Sequence, residues 1–199
     1  MFSGIVLAGG KSERMGKDKR HLLFQGESLL EISVNRLRNI AEEIIVVIGE
    51  EKNLDIGDVH FVLDVEKDQG PMMGLFSGLS RIKNFYGIVT PVDCPLISHE
   101  FLNYLREKAV GYDMTVPRWK RGIEPLIAVY SKNLIPAVNE WIKKEKKLAP
   151  HLLAQEPNLK VRFIEEEEIS QFGNPDVLFF NINTESDLRK AERMTRGEL

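Results

Sequence analysis

The stretch IVLAGGKSERMGKDK, residues 5–19, holds the densest set of residues suited to chemistry. An apolar run (Phe2, Ile5, Val6, Leu7, Ala8) stops at Gly9-Gly10, and the cations Lys11, Arg14, Lys17 and Lys19 follow with Gly16 among them. Glycines let backbone N–H groups turn toward an anion, and Lys and Arg supply countercharge. The segment therefore reads as a cradle for a polyphosphate; a tight surface turn with solvated charges is the competing reading. Two carboxylates also follow apolar runs: Asp64 after residues 60–63, and Asp93 within Pro91-Val92-Asp93-Cys94-Pro95. A carboxylate beside a bound triphosphate is a natural ligand for Mg2+, which takes one or two carboxylates plus phosphate oxygens. Turn residues at strand ends are the alternative for both. Lys19 and Arg14 would neutralise phosphate charge.

Other chemistries lack support. Gly10 to Gly16 is one residue too long for the NTPase P-loop, and Lys17 is followed by Asp18 rather than Ser or Thr. The dinucleotide pattern G-x-G-x-x-G and the serine-hydrolase elbow G-x-S-x-G are both missing. His21, His60, His99 and His151 are dispersed without metal-ligand spacing. Cys94 adjoins Asp93, whose charge raises a thiol pKa, and lacks an activating base in sequence.

Alternating strands and helices must position these groups. Ser28 caps a helix with apolar positions Leu29, Leu30, Ile32, Val34, Leu37 and Ile40. The β-branched run 44–48 reads as a strand buried on both faces, and 60–63 as a short strand ending at Asp64. A helix starts at Pro71 and runs to Ile82; a strand over 87–92 delivers Asp93, with Pro91 at its end or on a sheet edge. Further expectations are a helix over 98–108, strands over 114–117 and 126–130, and a helix over 134–147. Strands over 161–164 and 178–182 and a last helix capped by Thr184, with Asp187 in the capping-box position, complete the series. The acidic run 165–168 reads as a solvated turn. This order predicts a three-layer α/β/α single domain over 1–199 with a mainly parallel, Rossmann-like sheet, whose ligands bind beyond the carboxyl ends of strands.

At 199 residues, 43% hydrophobic and 29% charged, with net charge −3, the composition is that of an ordinary soluble domain and not of a general nucleic-acid binder. One cysteine fits a reducing cytoplasm, and no apolar run is long enough to span a membrane. A monomer is expected.

The opening motif resembles the signature L-A-G-G-x-S-x-R-M-G-x-D-K of nucleotidyltransferases, specifically the molybdenum cofactor guanylyltransferase family. Leu7, Ala8, Gly9, Gly10, Ser12, Arg14, Met15, Gly16, Asp18 and Lys19 fall on it. Gly70-Pro71-Met72-Met73-Gly74-Leu75 resembles that family's G-P-L-x-G-[LIM], with Met72 for leucine. Pro91-Val92-Asp93-Cys94-Pro95 matches its P-x-D-x-P, and Pro125-Leu126 its P-L before a central strand. Asn181-Ile182-Asn183-Thr184 with Asp187-Leu188 matches its N-[IV]-N-T-P-E-D-L, Glu185-Ser186 standing where Pro-Glu is usual.

The resemblance implies a fold of nucleotide-diphospho-sugar transferase type. It implies transfer of GMP from GTP to the terminal phosphate of the molybdopterin (Mo-molybdopterin) cofactor, giving the guanine dinucleotide and pyrophosphate. GTP would meet Leu7, Ala8, Gly9, Gly10, Lys19, Asp64 and Asp93; Mg2+ would sit on Asp93; Lys19, Asp93 and Arg14 would carry catalysis. Asn181 and Asn183 are either contacts for the pterin acceptor or structural amides tying strand to helix. Arg118, Lys120 and Arg121 either meet the acceptor's phosphate or decorate a solvated loop. Transient contact with other cofactor-biosynthesis proteins belongs to the same expectation. Use of CTP, a sugar-phosphate acceptor, or a non-catalytic nucleotide-binding regulator are the alternatives. Gly9-Gly10, where cytidylyl relatives more often carry Ala-Gly, favours guanine, and the presence of both Lys19 and Asp93 favours turnover.

Overall fold

In the computed structural model, which describes residues 1–9, 19–50, 56–64, 70–143 and 149–198, the apolar β-branched runs form one twisted central sheet. In chain order come β1 (Phe2–Leu7), β2 (Leu23–Phe24), β3 (Glu27–Ser28), α1 (Leu29–Arg38), β4 (Ile44–Ile48) and β5 (His60–Leu63). Then follow α2 (Pro71–Arg81), β6 (Tyr86–Pro91), α3 (His99–Lys108), β7 (Met114–Trp119), β8 (Gly122–Ile123) and β9 (Ala128–Ser131). The chain continues through α4 (Leu134–Lys143), β10 (Val161–Ile164), α5 (Glu166–Ile169), α6 (Pro175–Leu178) and α7 (Glu185–Thr195). The sheet order is β10-β7-β9-β6-β1-β4-β5. Neighbours are parallel except around β9, which runs antiparallel to both β6 and β7.

Successive side chains of a strand face opposite ways, and here that alternation separates two apolar layers. Val6, Val46, Ile48 and Val129 face α1 and α3 and the C-terminal segment. Ile5, Leu7, Ile45, Val47, Val89 and Tyr130 face α2 and α4. The capping box of α1 forms as expected: Ser28 Oγ accepts from Glu31 N–H, and the Glu31 carboxylate accepts from Ser28 N–H at 2.9 Å. Gly78 lets α2 lie flat on the sheet, since a Cβ there would come within 2.6 Å of Ile5 Cγ2 and 3.1 Å of Val47 Cγ2. No helix of the described residues is long and apolar enough to cross a membrane.

Several expected elements differ. The strand expected over 126–130 lies at Ala128–Ser131, because Ile127 N–H turns back to Glu124 O at 3.0 Å before the ladder begins. Residues 178–182 are not a strand: Leu178 closes α6, Phe180 N–H returns to Val177 O, and Ile182 N–H meets Asp93 O at 2.8 Å. Their apolar character is spent on packing against the α1/α3 layer, where Leu178, Phe179 and Ile182 are buried. The acidic run is a short helix rather than a solvated turn. Glu165 accepts from Arg118, and Glu168 takes Arg162 at 2.8 Å and the Tyr104 hydroxyl at 2.7 Å. Of the helix expected over 134–147, residues 144–147 lie outside the described residues. Pro91 ends an interior strand, paired with Leu7.

Candidate active site

Parallel pairing brings four strand ends to one edge of the sheet. Leu7 is in register with Val47 on one side and Pro91 on the other, and Ile48 is in register with Leu63. The residues that follow, Gly9, Asp64 and Asp93, therefore share the carboxyl edge where ligands of open α/β sheets bind. Leu7 and Ala8 are buried platform residues. Leu7 O accepts Val92 N–H at 3.1 Å and Ala8 N–H donates to Val47 O at 2.9 Å, so both residues are tied into the sheet. Gly10, Lys11, Ser12, Arg14, Met15, Gly16, Lys17 and Asp18 lie outside the described residues.

Lys19 opens a short 3-10 turn, and its ammonium crosses to the end of β6. Nζ lies 3.2 Å from Asp93 Oδ2 and 2.7 Å from Asn183 Oδ1, joining positions 74 and 164 residues away along the chain. The two charged side chains keep 19% and 24% of their surface, sheltered yet open to a ligand. The Asp93 turn is held from behind. Ile182 N–H donates to Asp93 O, and the largely buried Arg36 guanidinium donates to Cys94 O at 3.0 Å. Burial lowers the Arg36 pKa to about 10, and the guanidinium stays charged at neutral pH. Cys94 is buried and gives its S–H to Asn181 Oδ1 at 3.0 Å; burial first, then the Asp93 charge, pushes its thiol well up, which rules against a thiolate nucleophile.

Asp64 sits above the first half of α2. Its Oδ1 accepts the Ser77 hydroxyl at 2.9 Å, and its Oδ2 lies 3.7 Å from where a Cβ on Gly74 would be. Gly70 precedes α2 at φ 83°, a conformation that favours glycine, and Pro71 takes the first helical position, where its missing N–H costs nothing. Met72 and Met73 are both core residues, with 0% and 1% exposure.

The two asparagines divide between roles. Asn183 brings its side-chain oxygen to Lys19 while its N–H meets Asp187 Oδ2 at 3.0 Å; Asn181 braces the Cys94 turn and borders a cavity. That cavity, about 310 Å3, opens beside Pro91 and Cys94 and is walled by Pro71, Glu124, Pro125 and Pro150. Arg118, Lys120 and Arg121 lie at the end of β7 and stay exposed, as a solvated loop requires, with acidic partners beside them: Arg118 pairs with Glu165, and Lys120 and Arg121 both pair with Asp176. Ser77, Arg36 and Glu124 carry no sequence signature of their own. Only Ser77, one turn past Gly74 on a glycine-marked helix face, could have been found from spacing.

Among the described residues no group of three or more His, Cys, Asp or Glu could form an all-protein metal cage. A single accessible carboxylate at a strand end instead suits Mg2+, which keeps water and phosphate oxygens as its other ligands. Asp93 fits that donor set. A cation next to a carboxylate on a sheltered edge can hold phosphates and neutralise charge during their transfer.

The family model described as MobA-like NTP transferase domain matches residues 4–159 of the chain. A protein of Pelotomaculum thermopropionicum named "Probable molybdenum cofactor guanylyltransferase" is 34% identical over 196 residues, covering 98% of this chain and 94% of its own length. One of the same name from Methanosarcina mazei is 35% identical over 200 residues, covering 94% of this chain and 88% of its own. The crystal structure of molybdopterin-guanine dinucleotide biosynthesis protein A from Archaeoglobus fulgidus superimposes with a TM-score of 0.79 at 24% identity, covering 98% of this chain and 99% of its own, a likeness of fold.

Proposed function

The chain belongs to the MobA-like NTP transferase family, and on that premise we propose that it transfers GMP from GTP to the terminal phosphate of molybdopterin, forming the guanine dinucleotide and releasing pyrophosphate. The observation that carries the reading is the meeting of Lys19 Nζ and Asp93 Oδ2 at 3.2 Å, beside the paired ends of β1 and β6. The acceptor phosphate is anionic near neutral pH, so attack on the α-phosphorus needs no general base. What the reaction requires is alignment of two polyanions and relief of their repulsion.

In this reading Leu7, Ala8, Gly9 and Asp64 bind the nucleotide, with Gly10 and Arg14 assigned on their motif positions. Lys19 sets its ammonium against the phosphates and Asp93 holds Mg2+. When bound, the ion adds countercharge at the phosphate oxygens, including those of the leaving pyrophosphate. Asn183 and Asp93 orient the Lys19 ammonium, and the Arg36 and Ile182 hydrogen bonds keep the Asp93 turn in place before ligand arrives. Guanine is favoured over cytosine by Gly9-Gly10 and by the names of the relatives. A reducing cytoplasm accords with the single cysteine, and a monomer is the expected state. The test is incubation with each Mg-NTP, with and without molybdopterin, while pyrophosphate is assayed. Release is expected with GTP plus acceptor; release with CTP instead removes the guanine assignment, and tight nucleotide binding without release removes the enzymatic one.

A further inference from the structure

The cavity beside Pro91 and Cys94 lies on the β9 side of Asp93, away from the β1, β4 and β5 ends that carry Gly9 and Asp64. Four prolines, Pro71, Pro91, Pro125 and Pro150, line it together with Leu126, Ile127 and His151, and its volume of about 310 Å3 is at the small end of ligand pockets. Flat, rigid, apolar walls suit a flat ring. Into this lining comes one carboxylate, Glu124, held on a turn that is fixed at several points. Glu124 N–H donates to Pro117 O at 3.0 Å, Ile127 N–H to Glu124 O at 3.0 Å, and the buried Tyr130 hydroxyl to Pro125 O at 2.5 Å. The carboxylate itself accepts Trp119 Nε1–H on Oε1 at 2.8 Å. Burial pushes this carboxyl above its ordinary range, against the Trp119 hydrogen bond and the charge of Arg121. A desolvated carboxylate of this kind gains from further N–H donors.

We propose that this cavity seats the heteroaromatic ring of the acceptor and that Glu124 reads the adjacent N–H and NH2 donors of its 2-amino-4-oxopyrimidine edge. The assignment deepens the GMP-transfer reading and rests on it. Guanine presents the same edge, but the strand order favours the acceptor: Gly9 and Asp64 follow β1 and β5 on one side of Asp93, whereas apart from Pro71 the cavity is lined from the end of β6 and the segments after it. Cys94 borders the cavity and directly follows Asp93, so a ring seated here carries its phosphate toward the Lys19–Asp93 pair. Asn181, braced by the Cys94 thiol, closes the same wall.

Two measurements test this. In turnover, Glu124→Gln keeps shape and an acceptor for Trp119 but loses the charge. KM for molybdopterin should rise about 10- to 100-fold while KM for GTP stays within twofold, as for loss of a charge-assisted donor pair. Without turnover, quenching of pterin-6-carboxylate fluorescence should show tighter binding than that of the corresponding lumazine, whose 2-oxo group replaces the amine with an acceptor. Glu124→Gln should abolish that preference with an unchanged melting temperature. A rise in KM for GTP instead of molybdopterin, equal binding of pterin and lumazine by the native protein, or a preference retained by Glu124→Gln would each overturn the proposal. Should native protein discriminate the two rings yet release no pyrophosphate from GTP and molybdopterin, GMP transfer falls and the ring site stands.

Discussion

Lys19 and the trio Arg118, Lys120 and Arg121 are both drawn from basic segments near strand ends, and the fold treats them differently. Lys19 is led to a carboxylate and an amide at the carboxyl edge, where 19% of its side chain stays exposed. The trio is met by acidic partners from the C-terminal segment, Glu165 and Asp176, and is further occupied by ring faces, Arg118 over Phe163 and Arg121 over Trp119. Basic residues in a sequence thus become functional or structural according to what the topology sets opposite them. In the proposed reading a strand-end aspartate shares Lys19 with incoming phosphate, whereas at the end of β7 two carboxylates hold all three cations.

The sharpest way to break this contrast is to remove one member of the edge pair. Lys19→Ala and Asp93→Asn should each lower kcat by about 100- to 1,000-fold, the scale for losing one preorganised charge-stabilising group, with circular dichroism unchanged. Asp64→Asn should act more mildly, raising KM for GTP about tenfold with kcat near native, as for one charge-assisted hydrogen bond. Gly78→Ala tests whether packing of α2 holds that half of the edge. The added methyl meets the stiff Ile5 side chain, and urea titration should show a loss of about 1–3 kcal/mol.

On the other side of the contrast, the acidic segment should report on stability. Burial works against ionised Glu168, but the Tyr104 hydroxyl, Glu165 N–H and the Arg162 guanidinium outweigh it and lower its pKa below the ordinary 4.5. A depressed carboxyl stabilises the fold above its unfolded pKa and loses that contribution as pH falls through its folded one. Glu168→Gln should therefore be less stable than native protein at neutral pH, the gap closing on acidification below 4.5. Arg118→Ala and Lys120→Ala should change kcat/KM less than twofold; a loss comparable to Lys19→Ala would erase the distinction between the two groups.

Much of this was legible in the chain because it depends on local signals. The runs 44–48 and 60–63 are short and apolar, Ser28 and Thr184 are capping residues, and Asp64 and Asp93 sit immediately after strand patterns. Residues 178–182 misled because an apolar run signals burial without specifying hydrogen-bond partners. Here those partners are a preceding helical turn and the Asp93 carbonyl. The pairing of Lys19 with Asn183, of Arg118 with Glu165 and of Trp119 with Glu124 depends on which side chains the fold turns toward each other. Residue type and spacing offer no trace of that choice, so Glu124, though adjacent to the Pro125-Leu126 motif, shows no role of its own in the sequence.

The central claim, nucleotidyl transfer at the Lys19–Asp93 edge, is tested most directly by following GTP labelled at the α-phosphorus in the presence of Mg2+ and molybdopterin. The account predicts that the label moves to the acceptor in native protein, with one pyrophosphate released per transfer, and stays in GTP in Lys19→Ala. Label appearing as free GMP or GDP without acceptor modification, or undiminished transfer by Lys19→Ala, would contradict it.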